Sequence, residues 1–435
     1  MKDSGISWVG EIPKEWNKRP IRSIIKSRVG GVWGDDINDD IQGVVCIRIA
    51  DFDFSKRKIK DVSSDLLTYR LYNSIQIQKY SLQKNDILIE KSGGGEKTPV
   101  GRAVLFDKNY KALFANFMDR IRIDDSIVLP VFAEYWLWNL YSCRVTPYYI
   151  NQTIGIQNID LTFMLAKEKI CFPSLVEQQR IAEFLDRECG KIDGLEADIQ
   201  AQIDTLEQYK RSVITEAVTH GLNPSAPMKD SGIPWVGEIP KEWSVNRAKY
   251  CFVNTKEIAG CRSDRYERLA LTMNGVIKRS KDDSNGLQPE KFETYQILRP
   301  DELVFKLIDL QNVSTSRVGL SPYLGLVSPA YIILKSNKRV LPAFAEKYFL
   351  MLWKNQIFNA LGDAGVRSNL NSKDLLELSI PLPPIDEQQE IADYLDSKCA
   401  EIEQIIADKK SQIETLDGYK KSLIYEYVTG KKEIV

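Results

Sequence analysis

Pro173-Ser174-Leu175-Val176-Glu177-Gln178-Gln179-Arg180-Ile181-Ala182-Glu183-Phe184-Leu185-Asp186 opens a stretch that runs on to about His220. It then recurs as Pro384-Ile385-Asp386-Glu387-Gln388-Gln389-Glu390-Ile391-Ala392-Asp393-Tyr394-Leu395-Asp396, running on to about Gly430. A shift of 210 positions aligns the copies without a gap, with about half the positions identical. Ser174 with Glu177, and Asp386 with Gln389, have the spacing of a helix-starting capping box. In the first copy Leu185, Ile192, Ile199, Leu206 and Val213 recur every seventh residue, with Leu195, Ile203, Tyr209 and Ala217 beside them. The second copy keeps Leu395, Ile402, Leu416 and Leu423 but puts Lys409 on the seam, with Ile406 and Ile413 nearby. Gly221 and Gly430 are the expected stops. Two apolar seams of this length in one chain can cover each other, and the large block between them makes an antiparallel pair the expected arrangement.

Working outward, the sixteen residues Met1–Trp16 return at Met228–Trp243 with one change. Their Gly and Pro punctuation predicts an irregular arm, with the paired tryptophans pinned to an apolar surface. Asn223-Pro224-Ser225-Ala226-Pro227 links the two half-chains. Between arm and helix lie two dissimilar blocks, about 17–172 and 244–383, with a common skeleton. Asp86–Lys91 is matched with Asp301–Lys306, Val100-Gly101 with Val318-Gly319, and Leu129-Pro130 with Leu341-Pro342. Short alternating runs at Val44–Ile49, Ile87–Ile89, Ala103–Phe106 and Arg120–Ile123 predict a twisted, mostly antiparallel sheet. A helix is expected from Pro130 to about Tyr141, and its counterpart from Pro342 to about Phe358. The expected fold class is α+β: two α/β domains separated by two long helices that pair as an antiparallel coiled coil, with a pseudo-twofold internal repeat. The expected divisions are 1–172, 173–222, 223–383 and 384–435.

A chain of 435 residues allows two to four domains. No apolar run reaches a membrane span of about 18 residues, and the first residues do not form a signal peptide. Seven cysteines without a Cys-x-x-Cys pair argue against a disulfide framework and a zinc module. A cytoplasmic protein is expected. The net charge of −1 hides an asymmetry: residues 177–221 carry −5 and 386–430 carry −6, leaving +10 on the rest. Acidic rods with basic blocks suit a polyanionic partner.

Catalytic patterns are not met. The single histidine, His220, ends a helix. Ser92-Gly93-Gly94-Gly95-Glu96-Lys97-Thr98 lacks the spacing of a phosphate-binding loop and reads as a hairpin loop. Glu90-Lys91 lacks a nuclease's paired acids, and Thr146-Pro147-Tyr148-Tyr149 is not an amino-methylation motif.

The duplicated words Trp8-Val9-Gly10-Glu11-Ile12-Pro13 and Trp235-Val236-Gly237-Glu238-Ile239-Pro240 resemble those of type I restriction–modification specificity subunits. So do Asp86-Ile87-Leu88-Ile89 with Lys91-Ser92-Gly93-Gly94-Gly95, and Ile380-Pro381-Leu382-Pro383-Pro384 leading into Glu387-Gln388-Gln389. The likeness spans the whole chain and departs at Ile170-Cys171-Phe172-Pro173-Ser174, where three prolines become one. It implies that 1–172 and 223–383 carry target-recognition domains, each reading one half of a split double-stranded DNA target. It also implies that the long helices at 173–222 and 384–435 dock two methyltransferase subunits, joined by motor–nuclease subunits. The chain itself would be non-catalytic and without a cofactor or metal; S-adenosylmethionine, ATP and Mg²⁺ would belong to the partners. The half-sites would lie about one helical turn apart, roughly 34–36 Å.

Arg reads guanine and Asn or Gln reads adenine in the major groove, so basic and amide side chains on loops are the candidates. In block one these are the loop Tyr148–Thr153, above all Asn151 and Gln152, with Lys91, Lys97 and Arg102. In block two they are the loop Gly365–Asn369, above all Arg367 and Asn369, with Lys306 and Arg317. The candidate docking positions are Leu185, Ile192, Ile199, Leu206, Leu395, Ile402, Leu416 and Leu423. Two other readings are a coiled-coil adaptor whose blocks bind proteins, and a stand-alone nuclease or methyltransferase.

Overall fold

A computed structural model describes residues 1–37, 43–153, 155–283, 291–310, 317–361 and 369–434, with the backbone alone at Gln152 and Thr153. The chain forms two compact units, Met1–Gln200 with Lys410–Val435 and Ala201–Lys409. Each holds an arm, a block, the first part of one long helix and the last part of the other.

The long helices run Leu175–His220 and Ile385–Val428. Ser174 Oγ accepts the Glu177 N–H at 3.3 Å, a side-chain cap. The second helix starts one residue before Asp386, which therefore lies in the first turn rather than at the cap. Its charge still suits the positive helix start, and Gln389 turns instead to Asp393 at 2.8 Å. Gly221 and Gly430 end the helices with φ of 76° and 69°, a conformation that costs glycine little.

Within each unit the two helix segments run antiparallel. In the first, Phe184 stacks on Tyr427 at 4.5 Å and Asp193 pairs with Lys420. In the second, Lys210 pairs with Glu403 and Gln202 accepts from Lys409. The seventh-residue row is in place, with Leu185, Ile192, Leu395, Ile402 and Leu423 buried and Ile199, Leu206 and Leu416 half-buried. The companion row differs from the expected one. It follows at four residues through Cys189, Glu196, Ile203, Lys210 and Ala217, while Leu195 and Tyr209 are exposed. Two polar members hid this row in the sequence; one of them, Lys210, is paired with Glu403, and such polar seam positions fix register.

Both helix starts are fastened by the same device. Gln178 is fully buried; its Oε1 accepts the Leu129 N–H at 2.8 Å, and its Nε2 donates to the carbonyls of Pro173 (3.0 Å) and Ile127 (3.3 Å). Gln388 repeats this with Leu341 (2.8 Å), Pro383 (2.9 Å) and Arg339 (3.2 Å). Leu129 and Leu341 cap the block helices, so one amide locks the start of a long helix to the start of a block helix. Trp16 and Trp243 are buried and lie edge-on to Phe132 (6.3 Å) and Phe344 (6.5 Å) of those helices. Each arm thus closes over its own block.

Block one carries a six-stranded sheet in the order Ile25–Gly30, Met118–Ile123, Ile87–Glu90, Ala103–Leu105, Lys58–Ile59, Phe52–Asp53. All pairings are antiparallel except Leu105 with Lys58. Val44–Ile47 stands apart from it, in a three-stranded sheet with Ala112–Phe114 and Tyr69–Arg70. The single expected sheet is therefore divided. Block two has two four-stranded sheets. Its helix ends at Lys354, short of the expected Phe358, because Gln356 turns left-handed (φ 60°) before a separate helix Ile357–Leu361.

The skeleton match between the blocks needs a register correction. Asn85 (φ 73°) and Asp301 (φ 63°) make the same left-handed turn. The acid after each accepts the N–H three residues back: Asp86 from Gln83 at 2.7 Å, Glu302 from Arg299 at 2.9 Å. Asp86 therefore matches Glu302, since either acid can close this turn, and the Asp–Asp identity was misleading. In consequence Glu90 matches Lys306. Arg102, whose carbonyl accepts the Glu90 N–H at 2.9 Å, matches Arg317, the strand partner of Lys306. Val318-Gly319 then matches Ala103-Val104 rather than Val100-Gly101.

A cation, half-buried in unit two and buried in unit one, joins each block helix to its long helix. In unit two Lys347 bridges Glu346 and Asp396. In unit one Tyr135 stands in its place, and Arg57 reaches in from a neighbouring turn to Glu134 (3.4 Å) and the Tyr135 hydroxyl (2.9 Å), which donates to Asp186 at 2.7 Å. Burial pushes the Glu134 carboxyl up to about 8 despite the attraction of Arg57.

Candidate nucleic-acid interface

In block one, Ser92–Gly93, Ile156–Ile159 and Ile150–Thr153 form an antiparallel ladder. It is tied to its surroundings by Ser92 Oγ–Asn158 Oδ1 (2.6 Å) and by Gln157, which accepts the Val100 N–H at 3.3 Å. Asn151 is exposed on the outer strand, and Tyr148 just before it is 86% exposed. The Gln152 side chain lies outside the described residues. The glycine loop after Ser92–Gly93 is closed by Gly95 N–H to Thr98 O at 3.0 Å, leaving Lys97 exposed at its tip.

Two other candidates are engaged within the block. Lys91 Nζ lies 2.9 Å from Asp119, which also pairs with Arg28 at 3.2 Å. Arg102 forks onto buried Glu90 at 2.9 and 3.1 Å and lies 3.6 Å over the Phe54 ring. A buried, bidentate pair of this kind holds shape first. Lys97 and Arg102 line one cleft of about 340 Å³; Lys91 and Asn151 do not line it.

In block two, the strand partners Lys306 and Arg317 put two cations where block one has an ion pair. Burial and the neighbouring guanidinium of Arg317 pull the Lys306 ammonium below its ordinary range. Arg317 also donates to Leu271 O at 3.0 Å. Asn369 accepts the Asp309 N–H at 3.0 Å, joining the loops at 309 and 369. Arg367 and Ser368 lie outside the described residues. One surface with an excess of cations was missed: Arg265, Arg268, Lys278, Arg279 and Lys281, with Asp264 and Glu267, line a cleft of about 470 Å³, where Lys278 pairs with Glu267 and Arg279 with Asp283. Its signal was the run Lys278-Arg279-Ser280-Lys281 beside a strand. Among the described residues, no three His, Cys, Asp or Glu side chains gather as a metal site, and no helix is long and apolar enough to cross a membrane.

Two α/β blocks that differ in their exposed polar loops, carried on paired long helices that repeat, have the architecture of a two-part recognition protein. The model of the type I restriction modification DNA specificity domain matches residues 13–205 and 283–415, and the chain belongs to that family. It is a sequence-specific DNA-recognition chain of a type I restriction–modification system.

Among similar proteins, one described as the type I restriction enzyme MjaX specificity subunit of Methanocaldococcus jannaschii is 24% identical, covering 97% of this chain and 95% of its own. The MjaVIII specificity subunit of the same organism is 25% identical over 68% of this chain and 70% of its own. The StySPI specificity subunit of Salmonella potsdam is 22% identical over 81% and 76%. A solved structure from work on complex assembly and conformational transition of the type I R-M system has the same fold. It has a TM-score of 0.66 at 14% identity, covering 97% of this chain and all of that one.

Proposed function

We propose that the two blocks read two different DNA half-sites and that the long helices dock two copies of one methyltransferase subunit, with motor–nuclease subunits completing the complex. The carrying observation is the contrast between what repeats and what does not. Leu195 and its counterpart Ile405 are 53% and 38% exposed; Tyr209 and Tyr419 are 48% and 57% exposed. Large apolar side chains held out to solvent at equivalent places on both helices suit two identical partners. The blocks differ at the matching strand pair, Glu90 with Arg102 against Lys306 with Arg317, as two readers of different sequence would.

The base-reading candidates remain Asn151, Gln152, Arg367 and Asn369, with Lys91, Lys97, Arg102, Lys306 and Arg317 as supporting cations. The divisions 1–172, 173–222, 223–383 and 384–435 are the proposed exchangeable modules. S-adenosylmethionine, ATP and Mg²⁺ would be held by the partners, and the complex would work in the cytoplasm. The test is to replace the segment between Trp16 and Pro173 with another block, co-express the chimera with its methyltransferase, and sequence the methylated genome. One half of the methylated motif should change and the other persist; a change in both halves would overturn modular reading.

A further inference from the structure

Where the end of the block-one helix approaches the second long helix, Lys97, Arg102, Arg144, Lys420 and Lys421 line the cleft of about 340 Å³, with Asp417 as the one acid in its wall. Three of the cations are held in place. Arg102 forks onto Glu90, Lys420 is buried between Asp193 and Ser55 O, and Lys421 pairs with Asp417 at 2.6 Å. Lys97 and Arg144 have no acidic partner among the described residues, so the cleft carries excess positive charge. Its walls also continue into the ladder. Arg144 leads through the turn Thr146–Tyr149 into Ile150–Thr153, and the loop of Lys97 leads back to Ser92–Gly93.

The same junction in unit two is also cationic. Lys354, at the end of the block-two helix, is brought down from its ordinary range by burial and then by Arg211 and Lys210 of the first long helix. Lys210 and Arg211 are the counterparts of Lys420 and Lys421. The blocks diverge, yet both halves crowd like charges at this one place on otherwise acidic rods. Such crowding is unfavourable until an anion enters.

We propose that the block-one cleft seats a backbone phosphate of bound DNA, a positioning contact that sets the ladder against the base edges; this rests on the reading that block one binds duplex. A phosphate suits it better than an acidic protein segment because the cleft walls lead directly into the strands carrying the base-reading candidates. Phosphate contacts orient a protein without reading sequence.

The experiment is a salt titration of the full chain assembled with methyltransferase, comparing wild type with Lys97→Ala/Arg144→Ala on cognate and scrambled duplexes. Both residues are exposed, so a thermal melt should be unchanged. Binding by the variant should weaken on both duplexes, and the slope of log K against log salt should shrink by about 0.9 for one lost phosphate. Lys97→Arg/Arg144→Lys should keep the wild-type slope. Equal slope and affinity in the alanine variant would overturn the clamp while leaving DNA reading intact. An unchanged slope with lost methyltransferase would also overturn it, and assign the cleft to an acidic protein segment. A wild-type complex without salt-dependent binding would instead overturn the underlying reading.

Discussion

Gln178 and Gln388 satisfy three backbone groups each, one N–H and two carbonyls, at sites closed to water. Losing the amide leaves those groups unpaired at about 1–3 kcal/mol each. Gln178→Ala should therefore lower hydrogen-exchange protection around Leu129 in unit one and spare the region around Leu341, and Gln388→Ala should do the reverse. Uniform loss of protection across both units would contradict the local role. Glu134 makes a pH prediction. Its folded value of about 8 lies above the ordinary 4.5, so between those values the native state keeps a proton that the unfolded chain has released. That contribution is complete below pH 4.5 and fades toward pH 8. Denaturant melts should show unit one weakening as pH rises through this window, and Glu134→Gln should flatten the trend. The sequence displayed Glu-Gln-Gln as a repeated word but not its three bonds, because the accepting and donating groups lie up to 51 residues away.

At the level of elements, helix starts, stops and the seventh-residue row could be read directly, since each depends on neighbours within a turn or two. The companion row could not, because Glu196 and Lys210 look like surface residues until a facing helix covers them. The strand register failed for a related reason: Asp86 and Glu302 do one job with different side chains, and the pairing that shows it is long-range. Buried and exposed helix positions should separate cleanly by experiment. Leu185→Ala or Leu395→Ala empties a fully buried site and should cost about 2–5 kcal/mol of stability. Leu195→Ser/Tyr419→Ser, at exposed sites, should leave the melting temperature nearly unchanged but reduce methyltransferase co-purification. Full retention of the partner would remove these positions from the docking surface.

For the whole molecule, the internal repeat was plain in the sequence, while the composition of the units was not. Unit two is one continuous span, Ala201–Lys409, but unit one needs Lys410–Val435 to join Met1–Gln200. The contacts that require this are specific: an added Cβ at Gly430 would lie 2.5 Å from Pro13 and 3.1 Å from Trp16, and Tyr425 donates to Trp8 O at 3.0 Å. Synthesis and completion therefore run in opposite orders. Unit one, although it begins earlier in the chain, cannot be complete without Lys410–Val435, while unit two needs nothing beyond Lys409. A chain stopped after Lys409 should resist brief proteolysis across Ala201–Lys409 and be cut within Met1–Gln200; the opposite pattern would refute the dependence. A lesion within Lys410–Val435 is thus, physically, an injury to the reader that precedes it by about two hundred residues.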